Sequence, residues 1–286
     1  MIPLVIALAA GALHPPGRLL VEAPPYGLAI VEPSGAITRL GKYYDAAWSP
    51  DGTRIAAANG RRLVVLDDSG RVLWSRRGDQ PAEPDWTSDG KLLAYRDGTV
   101  IHTVRADGHR DRRVAQAERL RWRPGTHQLA VATRNGVIRI AGRQASQPGN
   151  RIRPYGLVWS ADGRTLAAIS GSYVRILRGR QRRTITTHGF DHFQSGTYAG
   201  NALVLVRHDF TRGTSHVTRA GRTVFSGRGT VSDVTASPDG SRLLLGRRSR
   251  DEWQLWPASP SLNHVTRAIN PDATGAWAFP RTRAWR

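Results

Sequence analysis

The chain has no cysteine, so no disulfide braces it and no thiolate is available to hold a metal or attack a substrate. Lysine is nearly missing as well: Lys42 and Lys91 are the two, and the net charge of +20 rests on arginine. The apolar run MIPLVIALAAGAL at the start is too short to cross a bilayer as a helix, so no membrane span is expected. Also absent are the G-x-S-x-G elbow, the G-x-x-x-x-G-K-[ST] phosphate loop and the H-E-x-x-H zinc helix. Their absence leaves hydrolase, nucleotide and metalloprotease readings without sequence support, and no cofactor is expected.

What the chain does have is a repeat. A unit of about 38 residues is written six times and begun a seventh time, with clear copies starting at Ala46, Pro84 and Leu157. Short strands and Gly-rich turns at this period predict an all-β chain folded as a β-propeller, one unit per blade. In the first copy, strand A is Asp45 to Trp48, stopped by Ser49-Pro50-Asp51-Gly52, where Pro presets φ and Gly closes the turn. Strand B is Arg54 to Ala58, followed by the hairpin turn Asn59-Gly60. Strand C, Leu63 to Leu66, is apolar throughout, as expected when neighbouring blades cover both its faces. Strand D, Arg71 to Ser75, reads as a polar outer edge.

Aligning the copies gives the row Trp48, Trp86, Trp122, Trp159, Tyr198, Ala236 and Ala278, whose aromatic members are predicted to be core between blades. The turn aspartates Asp51, Asp89, Asp162 and Asp239 invite a reading as a carboxylate ring around a metal. Their place two residues after Ser or Thr favours local bonds to backbone N–H groups instead.

The stretch Gly275 to Phe279 looks like a strand A with no B, C and D after it. Arg18 to Glu22, Gly27 to Val31 and Ser34 to Thr38 look like a B, a C and a C–D turn with its D strand. The expectation is a seven-bladed ring closed by N-terminal strands pairing with a C-terminal strand; six blades is the alternative if residues before Tyr43 lie outside the ring. Residues 14–286 are then one propeller domain. Residues 1–13 read as a secretory signal, which predicts a periplasmic or extracellular protein; a spare strand A in a cytoplasmic protein is the other reading. Thr187 to Phe210 and Pro257 to Thr274 match the repeat least well.

In a propeller the B–C turns and D–A connections emerge on one face. Arg61, Arg62, Arg247, Arg248 and Arg250 fall at B–C turns and Arg76-Arg77 begins a D–A connection, which predicts a basic face for partner binding. Its expected occupant is a protein, an acidic one or an anionic envelope polymer. The sequence argues against nucleic acid, because the aromatics sit in the core and are not interleaved with the basic loops. A monomer is expected.

The motif Trp48-Ser49-Pro50-Asp51-Gly52 with Ile55-Ala56 resembles the WD40-like PD40 repeat of TolB-type propellers. So do Trp86-Thr87-Ser88-Asp89-Gly90, Trp159-Ser160-Ala161-Asp162-Gly163 and Ser237-Pro238-Asp239-Gly240. The resemblance covers nearly the whole chain and implies a non-enzymatic binding scaffold of the cell envelope, although the small α/β domain that precedes the TolB propeller is missing, as is any hydrolase domain. Some propellers of this kind are metal-dependent lyases of acidic oligosaccharides. For that alternative the candidate ligands are His188, His192, His208 and His216, near Asp191 and Asp209. The bland reading is that these are loop histidines, satisfied or solvated.

Overall fold

A computed structural model describes residues 18–23, 27–32, 34, 36–146, 153–237, 239–247, 252–256, 263–267 and 282–285. Every regular element among them is a β-strand. In chain order these are β1 (Leu19–Ala23), β2 (Gly27–Val31) and β3 (Ile37–Gly41), then β4 (Tyr44–Trp48), β5 (Arg54–Ala58), β6 (Arg62–Asp67) and β7 (Val72–Arg77). There follow β8 (Pro81–Trp86), β9 (Leu92–Asp97), β10 (Val100–Arg105), β11 (Arg112–Gln116), β12 (Arg119–Trp122), β13 (Leu129–Ala132), β14 (Ile138–Ile140) and β15 (Arg143–Ser146). Next are β16 (Gly156–Trp159), β17 (Thr165–Ile169), β18 (Tyr173–Arg178), β19 (Gln181–Thr186), β20 (Asp191–Ala199), β21 (Ala202–Asp209), β22 (Thr214–Arg219) and β23 (Arg222–Arg228). The last are β24 (Val231–Ala236), β25 (Leu243–Arg247), β26 (Glu252–Trp256), β27 (Asn263–Arg267) and β28 (Thr282–Trp285).

They pair into seven four-stranded sheets, six of them consecutive from β4 to β27, and one ordered β28-β1-β2-β3. This is an all-β propeller. The pairing of Leu19 with Trp285 and Leu20 with Ala284 joins the two ends of the chain in one antiparallel ladder. The partner strand lies further along than expected: it is Thr282–Trp285, whereas Gly275 to Phe279, with Trp277 and Ala278, fall outside the described residues. The inner strands β28, β4, β8, β12, β16, β20 and β24 touch one another in that order, and β24 touches β28.

Apolar clusters fill the spaces between successive sheets. One unites Leu20 and Ile30 with Trp48 and Leu66; the next unites Leu63 and Val65 with Trp86 and Tyr95. The C strand β6 is therefore covered on both faces, Val64 and Leu66 on one and Leu63 and Val65 on the other, which is why its sequence does not alternate. The aromatic row is core as read: Trp48, Trp86 and Trp122 are buried and Trp159 and Tyr198 half-buried. Trp86 Nε1 donates to the Ala47 carbonyl at 3.3 Å and Trp122 Nε1 to the Asp85 carbonyl at 3.1 Å, so these rings also stitch each sheet to the one before it.

The turn aspartates do what local bonding requires. Asp51 accepts from Thr53 N at 3.1 Å and Asp162 from Arg164 N at 2.9 Å, while the hydroxyls of Ser49, Thr87, Ser160 and Ser237 donate to Asp51, Asp89, Asp162 and Asp239. Gly52, at φ 58°, supplies the left-handed residue that closes the turn.

The stretch Thr187 to Phe210 departs from the repeat in strand length as well as in turn residues: it contains all of β20 and β21, nine and eight residues long, joined by a tight turn around Gly200 at φ 61°, where Gly-Asn serves as well as Asp-Gly. One expectation is corrected. The outer strand β7 is not uniformly polar, since Val72 and Leu73 are exposed on it.

Candidate functional site

Because strands within each sheet are antiparallel, A–B and C–D turns share one side of the molecule, and B–C turns and D–A connections share the other. The candidate basic face is on the second side. Arg61, Arg62 and Arg77 are exposed there, and Arg62 and Arg77 stand opposite each other across β6 and β7. Arg62 donates to the Ser75 hydroxyl at 2.8 Å. Arg76 has a different job: its guanidinium donates to the Gly108 carbonyl at 2.8 Å and lies 3.4 Å from Asp111, so it ties β7 to the C–D turn of the next sheet. Arg247 ends β25, and Arg248 and Arg250 fall outside the described residues.

The same side carries a feature that charge counting missed. Phe190, in the connection before β20, is 76% exposed; Phe210, in the turn after β21, is 55% exposed; and Tyr44, at the start of β4, is 46% exposed. Phe210 packs edge-on against the His208 ring at 4.5 Å and the His192 ring at 5.5 Å. The sequence carries a signal for them, as Phe190 and Phe210 stand outside the alternation of the flanking strands.

The four histidines are not brought together as a ligand set. His208 is buried, and its cross-strand partners are His192 and Ser215, whereas His216 pairs with Arg207 and so points to the opposite face of the sheet. His216 Nδ1 lies 3.0 Å from Ser226 Oγ, and His188 is exposed in a loop. Among the described residues no three His, Cys, Asp or Glu side chains gather in a metal-holding group. Ser215 Oγ donates to the Gly229 carbonyl and accepts from Val231 N, so His208 Nδ1, 2.9 Å away, is the donor in that contact. Burial pushes the His208 imidazolium below the ordinary histidine range.

On the axis the inner strands line a cavity of about 540 Å³. Its charged residues are largely braced from one sheet to the next. Arg119 donates to Glu83 at 2.8 Å and to the Tyr155 carbonyl at 2.8 Å, Arg121 to Asp85 at 3.0 Å, and Ser195 to Asp233 at 2.6 Å. Burial raises the Asp85 carboxyl above its usual range against the opposing pull of Arg121 and the Trp122 N–H. Asp45 and Glu83 take left-handed backbone conformations, at φ 51° and 53°, where β4 and β8 shift register. Such residues cost about 1–3 kcal/mol each and are held only by well-determined surroundings.

No protein-family model matches the chain, and no curated protein matches it. Solved structures do. A chain of the Mitotic Checkpoint Complex is 22% identical, with a TM-score of 0.61 over 77% of each chain. The Cps50 (Swd1) β-propeller domain of Myceliophteria thermophila is 14% identical, with a TM-score of 0.60 over 77% of this chain and 84% of that one. U3-55K is 16% identical, with a TM-score of 0.62 over 78% and 80%. At these identities the likeness establishes the fold, a β-propeller.

Proposed function

We propose that this chain is a non-enzymatic scaffold, its seven sheets forming one closed seven-bladed ring that binds a protein partner on the B–C and D–A side. Ring closure is supported by the β1–β28 ladder and by the unbroken circuit of inner strands. The observation that carries the binding role is the exposure of Phe190, Phe210 and Tyr44 on one side of the molecule, with Arg61, Arg62 and Arg77 on the same side. Exposed aromatics are costly in water, and buried aromatic anchors supply most of the energy of protein interfaces, at about 2 kcal/mol or more each. Strands clamped on both faces hold these loops in place, so little order is lost on docking. The structural neighbour solved within the Mitotic Checkpoint Complex gives a precedent for a propeller in a protein assembly.

The test is a quantitative pull-down from native cells with identification of the retained protein. The Phe190→Ser, Phe210→Ser variant is expected to lose the partner with an unchanged melting temperature, and the Arg61→Glu, Arg62→Glu, Arg77→Glu variant to weaken it most at low salt. Retention of the same protein by the phenylalanine variant at wild-type yield would rule out this surface.

A further inference from the structure

The net charge is not spread around the ring. From Arg119 to Arg228 there are nineteen arginines against three acids, Asp162, Asp191 and Asp209, a net of +16 that leaves +4 for the rest of the chain. This segment is the three adjacent sheets β12–β15, β16–β19 and β20–β23. Part of the cause is in the turns: the aspartate of Asp51, Asp89 and Asp239 is replaced in β12–β15 by Arg123-Pro124-Gly125-Thr126 and in β20–β23 by Ala199-Gly200-Asn201.

Some of these arginines are spent on structure. Arg119 and Arg121 pair with Glu83 and Asp85, Arg134 and Arg153 with Glu118, Arg207 with Asp191, and Arg212 with Asp209, while Arg123 lies over the Trp159 ring at 5.7 Å. A second set has no carboxylate partner, although the Arg182 guanidinium donates to the Gly179 and Gln181 carbonyls at 2.7 and 2.9 Å. Arg143, Arg164, Arg178, Arg180, Arg182 and Arg222 are all exposed, and none forms an ion pair among the described residues. All six sit at A–B or C–D turns, on the side opposite Phe190 and Phe210. Asp162 is the one carboxylate in those turns of the three sheets; it accepts from the Ser160 hydroxyl and the Arg164 N–H, and it attracts Arg164 and Arg178 at longer range.

We infer that this rim binds the phosphate backbone of double-stranded nucleic acid, without sequence preference. Packed sheets lie about 10 Å apart, so three successive C–D hairpins reach on the order of 20 Å along a duplex that presents one negative charge per about 1.7 Å of axis. Guanidinium forks match phosphate oxygens bidentately, and rigid hairpins hold them in advance. A protein interface would require aromatic anchors, and membrane insertion an apolar patch. Among the described residues the exposed large apolar ones, Tyr44, Val72, Leu73, Val114, Phe190 and Phe210, all lie away from these turns. The rings nearest these turns, Trp159 and Tyr198, are half-buried between sheets, so no exposed platform is offered to unpaired bases among the described residues, which favours duplex over single strand. The buried aromatic row that counts against a stacking platform is silent on backbone binding.

Fluorescence anisotropy with a labelled duplex of about 20 base pairs tests this. With five phosphate contacts, affinity should fall about 500-fold between about 50 and about 200 mM salt, from a slope of about −0.9 per contact. Arg143→Glu, Arg178→Glu, Arg180→Glu, Arg182→Glu should weaken binding at least about tenfold. The control Arg61→Glu, Arg62→Glu, Arg77→Glu, Arg212→Glu carries the same net charge and should weaken it less than about threefold. Equal losses in the two variants would reduce the effect to net charge and overturn the inference. So would displacement of the duplex by poly-glutamate of equal total charge, which would mark a general polyacid surface, or preference for a single strand of the same length. The phenylalanine variant that tests the protein-binding side leaves this assay untouched, so the two readings fail independently.

Discussion

At the scale of the residue, the repeated unit is a hydroxyl and a carboxylate two positions apart. Ser49 Oγ accepts from Arg54 N at 3.0 Å while donating to Asp51, and the same pair recurs as Thr87 with Asp89, Ser160 with Asp162 and Ser237 with Asp239. The donated hydroxyl is the largest cause holding these carboxyls below their ordinary range, Asp239 at about 2. A carboxyl whose pKa is lowered by folding stabilises the fold above its unfolded value near 3.8, and that contribution is lost as pH falls through the folded value. His208 acts in the same direction at a higher pH: its lowered pKa makes protonation unfavourable in the fold, so stability declines as pH drops below about 6.5. Asp85, raised by burial, opposes both. Replacing Asp51, Asp89, Asp162 and Asp239 by Asn should therefore lower the urea midpoint at pH 7, and the gap from wild type should narrow as pH falls from about 3.8 toward 2. A gap independent of pH would show that these carboxylates contribute through shape alone.

At the scale of the element, the inner strand and its terminal tryptophan set the packing between sheets. Trp86 is buried against Val65 and Leu93 in the same cluster, bonds to the Ala47 carbonyl and lies under the Arg54 guanidinium at 5.2 Å. Trp86→Ala should cost about 3–5 kcal/mol by denaturant titration, and Trp86→Phe about 1 kcal/mol, the worth of the indole bond. A loss below about 1 kcal/mol for the alanine variant would contradict this role. These elements were legible because local chemistry dictates them: Arg54 to Ala58 and Gly27 to Val31 coincide with β5 and β2. The closing strand was misplaced because Thr-Arg-Ala-Trp has neither the turn motif nor the alternation that marks a strand, and only its partner β1 defines it. Arg76 read as a binding residue for the same kind of reason: its acceptors, Gly108 and Asp111, are some thirty residues away and no spacing rule connects them.

At the scale of the whole molecule, the ladder between β1 and β28 is the one place where the end strands meet. Removing residues 282–286 should leave Leu19 to Val21 with an open edge, lower the melting temperature by at least about 4 °C and promote association through that edge. A truncated chain that melts and sediments like the full one would refute the proposed ring closure. Charge, too, is legible in the sequence as a total, yet its separation into paired and unpaired arginines depends on which sheets are neighbours, and no count of residues reveals that.

The ladder also fixes an order of events during synthesis. Leu19 and its neighbours are among the first described residues to leave the ribosome, and Trp285 is the last to find its place beside them. The sheet that holds both cannot be completed before Trp285 has been made, so its three early strands must wait, half covered, while the six sheets between them are synthesised. Contacts of such long sequence separation form slowly. Rapid refolding of six sheets followed by a slow, concentration-independent final phase is the kinetic signature this fold should leave.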